Sequence, residues 1–156
     1  QIETLISTLI LSDGGYFSRA PSDSHRALRR MIALRDGMEQ RGMPIPGWLL
    51  DTIAIMVPQL RGLRHGDGGL ALFNGGFEED SGKVDITLEK AGVKGKALLS
   101  ATQSGFQRLT AGRAILLAET GAPSRGVSGR NAHSGGGAFE LSIGKKRFQF
   151  IVLFSE

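Results

Sequence analysis

The stretch LRGLRHGDGGLALFNGG, from Leu60 to Gly76, begins as an apolar pattern studded with arginine, breaks at His65-Gly66-Asp67-Gly68, and resumes as alternating residues ending in Asn74-Gly75-Gly76. Glycine pairs beside Asp and Asn are turn chemistry, and a change of apolar period across such a break marks a change of secondary structure. The stretch therefore separates a helical half from a sheet half.

Upstream of it, Ile2, Leu5, Ile6, Leu9 and Ile10 follow a helical period that Asp13-Gly14-Gly15 ends. A second helix is expected after Pro21-Ser22-Asp23, where Ser22 or Asp23 can cap backbone N–H groups, with Leu28, Met31, Ile32 and Met38 on one side. Pro44 and Pro46 lead to a third helix carrying Leu49, Ile53, Met56, Val57, Leu60 and Leu63, with Pro58 expected to kink it. Downstream, Leu70–Phe73, Ala97–Ala101, Arg113–Ala118, Ala138–Ile143 and Arg147–Phe154 read as strands, and Asp85–Ala91 as a short helix before Gly92. Turns such as Thr110-Ala111-Gly112 and Ile143-Gly144-Lys145-Lys146 favour antiparallel connections. Helices followed by strands give the α+β class, divided at residues 1–64 and 65–156.

The 156 residues are 40% hydrophobic and 22% charged and contain no cysteine, which excludes a disulfide scaffold and thiolate metal ligands. No run approaches the roughly 18 apolar residues of a membrane span, and the N-terminus lacks the order of a signal peptide. Gln1 is an unusual start, so an excised piece of a longer chain is expected. A net charge of +4 favours an anionic partner. One Trp and one Tyr make a poor stacking platform, so nucleic acid is not expected.

Asp13-Gly14-Gly15-Tyr16-Phe17-Ser18-Arg19, Leu60 to Gly76, and Ala132-His133-Ser134-Gly135 leading into Ala138-Phe139-Glu140-Leu141 resemble the bacterial heparinase II/III-like proteins over nearly the whole chain. The resemblance implies the last helices of an incomplete (α/α) toroid, the opening strands of an antiparallel β-sandwich, and an acidic polysaccharide in the cleft between them. It implies β-elimination at a uronic acid, with no cofactor, and a periplasmic or cell-envelope setting. The remainder of the parent chain is expected to pack against this piece.

That reaction needs a base for the C5 proton, an acid for the departing glycosidic oxygen, and a group that neutralises the carboxylate. Where the family shows a Ser-Pro-x-Tyr-His-like segment, this chain reads Ala20-Pro21-Ser22-Asp23-Ser24-His25, so Ser24 stands near the place of the tyrosine. Where the family shows a His-x-His-x-Asp-like segment, the residues are Asn131, Ala132, His133, Ser134 and Gly135. Three dispersed histidines make a metal site unexpected.

The catalytic candidates are thus His65, His133, Tyr16 and His25, and the substrate-binding candidates are Arg19, Arg64, Asp67 and Asn131. Each also has a structural reading. His25 can sit exposed in a first helical turn, His65 can stabilise a helix C-terminus, Asp67 can organise its own turn, and Arg19 can serve a salt bridge. Arg26, Arg29, Arg30 and Arg35 read as a solvated face. Asp67, Glu78, Glu79 and Asp80 could also supply paired carboxylates, although the latter three read as a loop tip. A diverged, non-catalytic glycan-binding relative is the alternative function.

Overall fold

The computed structural model describes residues 1–121 and 137–150. Helix α1 spans Ile2–Leu9, α2 Pro21–Gln40, α3 Gly47–Gly62 and α4 Ser81–Ala91. Strands β1 (Ser100–Ala101), β2 (Phe106–Ala111), β3 (Ala114–Glu119), β4 (Phe139–Ile143) and β5 (Lys146–Phe150) form one antiparallel sheet in sequential order. The architecture is α+β.

Helical spacing explains the first half. Leu49, Ile53, Met56, Val57 and Leu60 line one side of α3 and meet Ala27, Leu28 and Ile32 of α2 and Val84, Leu88 and Ala91 of α4 in one buried cluster. Each fully buried aliphatic side chain there contributes ~1.5–3 kcal/mol. Helix α4, which follows the chain break, thus packs on α2 and α3. Asp80 caps it by accepting from Lys83 N–H at 3.1 Å, and Gly92 ends it at φ 70°.

The cap of α2 differs from expectation. Its N-cap is Ala20, with Pro21 opening the helix. Ser22 and Asp23 instead face neighbouring loops: Ser22 Oγ accepts from Phe77 N–H at 3.4 Å, and Asp23 accepts from the Ser18 hydroxyl at 2.8 Å. Pro58 stands inside α3, and its carbonyl accepts from Leu98 N–H at 2.9 Å.

Leu70–Phe73 is not a strand. Leu70 makes an isolated bridge with Arg64, and Phe73–Gly75 is a 3-10 turn in which Asn74 has φ 53°. The alternation that suggested a strand arises because the segment threads between two cores. Leu70 enters the helical cluster, whereas Ala71 and Phe73 enter a second cluster with Leu63, Ala101, Phe106 and Leu117. Strand β2 is an added element, hidden in the sequence by the polar Gln107, Arg108 and Thr110. The expected strand at Ala97–Ala101 is reduced to Ser100–Ala101. The end of the last expected strand, residues 151–154, lies outside the described residues.

Register fixes the two faces of the sheet. Arg108, Leu117, Glu140 and Gln149 form one cross-strand row on the face toward the helices, and Thr110, Ile115, Ser142 and Arg147 the next. Leu109, Leu116, Leu141 and Phe148 form the row on the opposite face. Gly66 of the break lies so close to the Gly144 carbonyl of the β4–β5 hairpin that a Cβ there has no room.

Candidate functional site

The glycine break seats the end of α3 on the inner face of the sheet, and His65, Arg64 and Asp67 gather around that junction. His65 follows α3 directly. Its Nε2 lies 2.9 Å from Glu140 Oε2 and its Nδ1 3.0 Å from Ser142 Oγ, and all three residues are buried. The second Glu140 oxygen accepts from Leu72 N–H at 2.7 Å and from Gln149 at 3.3 Å. A carboxylate, an imidazole and a hydroxyl are in register, yet the imidazole side chain has no exposure. The arrangement fastens β4 to the break, and Glu140 and Ser142 are the partners that the sequence reading missed. Their alternation inside the apolar Ala138–Ile143 run was the available signal.

Asp67 organises the turn as its structural reading anticipates, accepting from Gly69 N–H at 2.9 Å. Its other oxygen accepts from Arg147 Nε at 2.6 Å, and Arg147 also donates to the Leu70 carbonyl at 2.9 Å. Burial pushes the Asp67 carboxyl up, but the Arg147 hydrogen bond, the Gly69 N–H and the Arg147 charge together hold it below its ordinary value. Arg64 donates to the Gly68 carbonyl and to Asp85, both at 2.7 Å.

Arg19 sits in the left-handed backbone region at φ 59° and is buried against the sheet. It pairs with Glu119, donates to the Ser104 carbonyl at 2.7 Å, and lies 5.9 Å from the Phe106 ring centroid. Burial raises the Glu119 carboxyl while the Arg19 charge opposes that rise. Beside it, Asp13 accepts from Ser104 N–H at 2.6 Å and Gln103 N–H at 2.8 Å.

His25 is 0% exposed rather than standing in an open first turn. Thr87 Oγ1 donates to the Lys83 carbonyl at 2.8 Å and stands 2.9 Å from His25 Nε2. His25 Nδ1 stands 3.4 Å from Glu79 Oε1. Burial lowers the His25 pKa, with Glu79 opposing. Ser24 is also buried and accepts from Tyr16 N–H at 3.3 Å. Tyr16 is half-buried, packed beside the helical core with its ring centroid 4.7 Å from that of Phe17. His133 and Asn131 lie outside the described residues.

Several of the arginines are committed to backbone carbonyls. Arg108 Nη1 reaches the Gly62 and Arg64 carbonyls at 3.1 and 2.5 Å, capping α3, and burial lowers its pKa. Arg35 reaches the Lys90 and Ala91 carbonyls at the end of α4, and Arg61 those of Val93 and Gly95. Arg29 and Arg30 are exposed on α2.

A pocket of about 350 Å³ opens at the junction, lined by Asp67, Glu78, Glu79, Asp80, Ser81 and Arg147. The break, the loop into α4 and β5 thus meet there, and the acidic trio is part of the pocket wall. Among the described residues no group of three or more metal-binding side chains is placed to hold an ion, and no helix is long and apolar enough to cross a membrane.

Comparison with known proteins covers nearly the whole chain. FtsZ-localized protein C of Caulobacter vibrioides is 30% identical over 142 residues, which cover 91% of this chain and 25% of that protein. The chain spans about a quarter of the length of this curated relative. No solved structure matches. Residues 93–149, which begin just past α4 and carry the sheet, match the family described as heparinase II/III-like, C-terminal, and this part of the chain is a heparinase II/III-like C-terminal region.

Proposed function

We propose that this chain is a glycan-recognising part of a diverged heparinase II/III-like protein, in which positions that would serve elimination fasten the helices to the sheet. One observation carries the reading: His65 and His25 are sealed, with His65 held by Glu140 and Ser142 and His25 by Thr87. A base for a C5 proton must come within hydrogen-bond reach of it, and neither ring meets solvent in this arrangement. Ser24, near the expected place of a catalytic tyrosine, is likewise spent on the Tyr16 backbone.

The same reading takes residues 1–64 as the closing helices of a toroid and residues 65–156 as the start of a sandwich, with the apolar outer face of the sheet as the layer awaiting a second sheet. It retains a polysaccharide partner, an acidic one included, because Arg29 and Arg30 stay exposed. The test is to incubate the full-length protein with heparin, chondroitin, alginate and polygalacturonate and follow ultraviolet absorbance of a 4,5-unsaturated uronate. The expected result is binding without product. A rising signal that vanishes in His133→Ala overturns the reading and restores a lyase.

A second reading is favoured by the 30% identity over 91% of the chain to a protein named for its localisation with FtsZ. In it the chain contributes to placement at an FtsZ assembly, and co-sedimentation of the full-length protein with FtsZ filaments tests it.

A further inference from the structure

We propose that one internal water molecule is bound where α3 meets the sheet, bridging the Gln59 amide of the helix to the Arg108 guanidinium of β2. Gln59 is only 2% exposed, and neither its amide oxygen nor its amide nitrogen has a hydrogen-bond partner among the described residues. A carboxamide taken out of water without partners is destabilising, and buried side-chain polar atoms are in the large majority of cases hydrogen-bonded to protein or to ordered water. Leu63, Ala101 and Phe106 of the second core cluster stand around it and have no side-chain group to offer.

The same side chain lines a small cavity, whose wall also includes Gly62, Leu98, Leu99 and Arg108. Its volume is about 10 Å³, close to the smallest that holds one water and too small for a sugar, a phosphate or any larger ligand. Leu99 is 59% exposed on that wall, so solvent has a way in.

An internal water needs two to four polar partners, and the wall supplies them. Gln59 brings a donor and an acceptor. Arg108 Nη1 donates to the Gly62 carbonyl at 3.1 Å, which sets the guanidinium at the cavity edge with the rest of its planar fork to donate. Burial lowers the Arg108 pKa, so this cation is itself short of hydration, and a water oxygen beside it restores part of what burial removes. The Leu98 carbonyl stands over Gly62, where an added Cβ would come within 2.5 Å of it, and provides a further acceptor. Leu98 is pinned there by its N–H, which donates to the Pro58 carbonyl at 2.9 Å. The water thus ties together three separate segments: α3, the chain leading into β1, and β2.

The experiment combines a crystal structure of the full-length protein with oxygen-17 water relaxation dispersion on that protein and on Gln59→Met, which keeps the side-chain length and removes the amide. One ordered water within hydrogen-bond distance of both Gln59 and Arg108 is expected, with the tally of long-lived waters lower by one in Gln59→Met. The urea midpoint of Gln59→Met is expected to fall, because Arg108 loses the water as well, and far-UV circular dichroism confirms that the variant folds. A midpoint at or above that of the wild type overturns the bridge, since removing an unpaired buried amide is neutral or stabilising. A cavity without water density, an unchanged tally in Gln59→Met, or a side chain from elsewhere in the full-length protein bonded to Gln59 overturns it too.

Discussion

Leu116 and Leu117 are neighbours on β3, yet they face two different kinds of surface. Leu117 is 1% exposed on the face that receives the helices, where its cross-strand neighbours are Arg108 and Glu140. Leu116 lies on the opposite face in a row with Leu109, Leu141 and Phe148, of which Leu109 is 63% and Phe148 46% exposed. The inner face is studded with charge and buried, whereas the outer face is aliphatic and aromatic and open. Apolar burial alone joins surfaces without fixing their orientation, and directional pairs fix it. The helices are therefore held at one angle to the sheet by Arg19–Glu119, His65–Glu140, Arg147–Asp67 and the Arg108 cap, around a modest apolar patch.

The sharpest way to break this contrast is to remove one member of a buried pair. Arg19→Ala leaves Glu119 uncompensated inside the joint and removes the donor to the Ser104 carbonyl. A loss of ~3–5 kcal/mol is expected in urea unfolding of the full-length protein, the scale for orphaning a buried charge. A loss under ~1 kcal/mol means that the joint is held by its apolar patch instead. Next in size is Leu117→Ala, expected to cost ~3 kcal/mol by cavity formation in the second core cluster, read from the same unfolding midpoint.

Acid probes the helical side of the joint. The folded-state pKa of His25 lies below its ordinary value of 6.5, because burial outweighs Glu79, so the folded protein binds that proton less readily than the unfolded chain. Its contribution is complete above about pH 6.5 and is lost as pH falls below that value. Asp67, held below its ordinary 3.8, loses its contribution only at lower pH. Unfolding midpoints at about pH 7.5 and 5 are expected to fall less in His25→Gln than in the wild type. An equal fall assigns the acid sensitivity to other groups.

The helices and the antiparallel sheet were legible because periodicity reports which side of an element is buried, and Leu49 to Leu60 or Ala138 to Ile143 carry that period openly. Leu70–Phe73 misled because alternating burial into two cores looks like alternating burial across a sheet. Strand β2 was hidden because the inner face is polar, so Arg108 and Thr110 stand where apolar residues announce a strand. Asp13-Gly14-Gly15, Arg19 and the His65 break were legible as landmarks of the chain, and in the structure they meet the sheet at the joint. The burial of His25 was not legible, because it depends on Thr87 and Glu79, more than 50 residues away in the chain. What a side chain spends on distant partners has no local signature.

The smallest expected effect is the one that tests the outer face. Leu109→Ala removes as many methyl and methylene groups as Leu117→Ala, from the adjacent strand of the same sheet. With 63% of Leu109 already in water, the truncation gives up little burial and leaves no cavity. In this 156-residue chain a change within ~0.5 kcal/mol is expected. In the full-length protein the value separates two arrangements of the open face. A second sheet laid over the row of Leu109, Leu116, Leu141 and Phe148 raises the cost toward that of Leu117→Ala, since both leucines then lie in a core. An unchanged value there means that the face stays open in the whole protein, and that the sandwich reading of residues 65–156 fails.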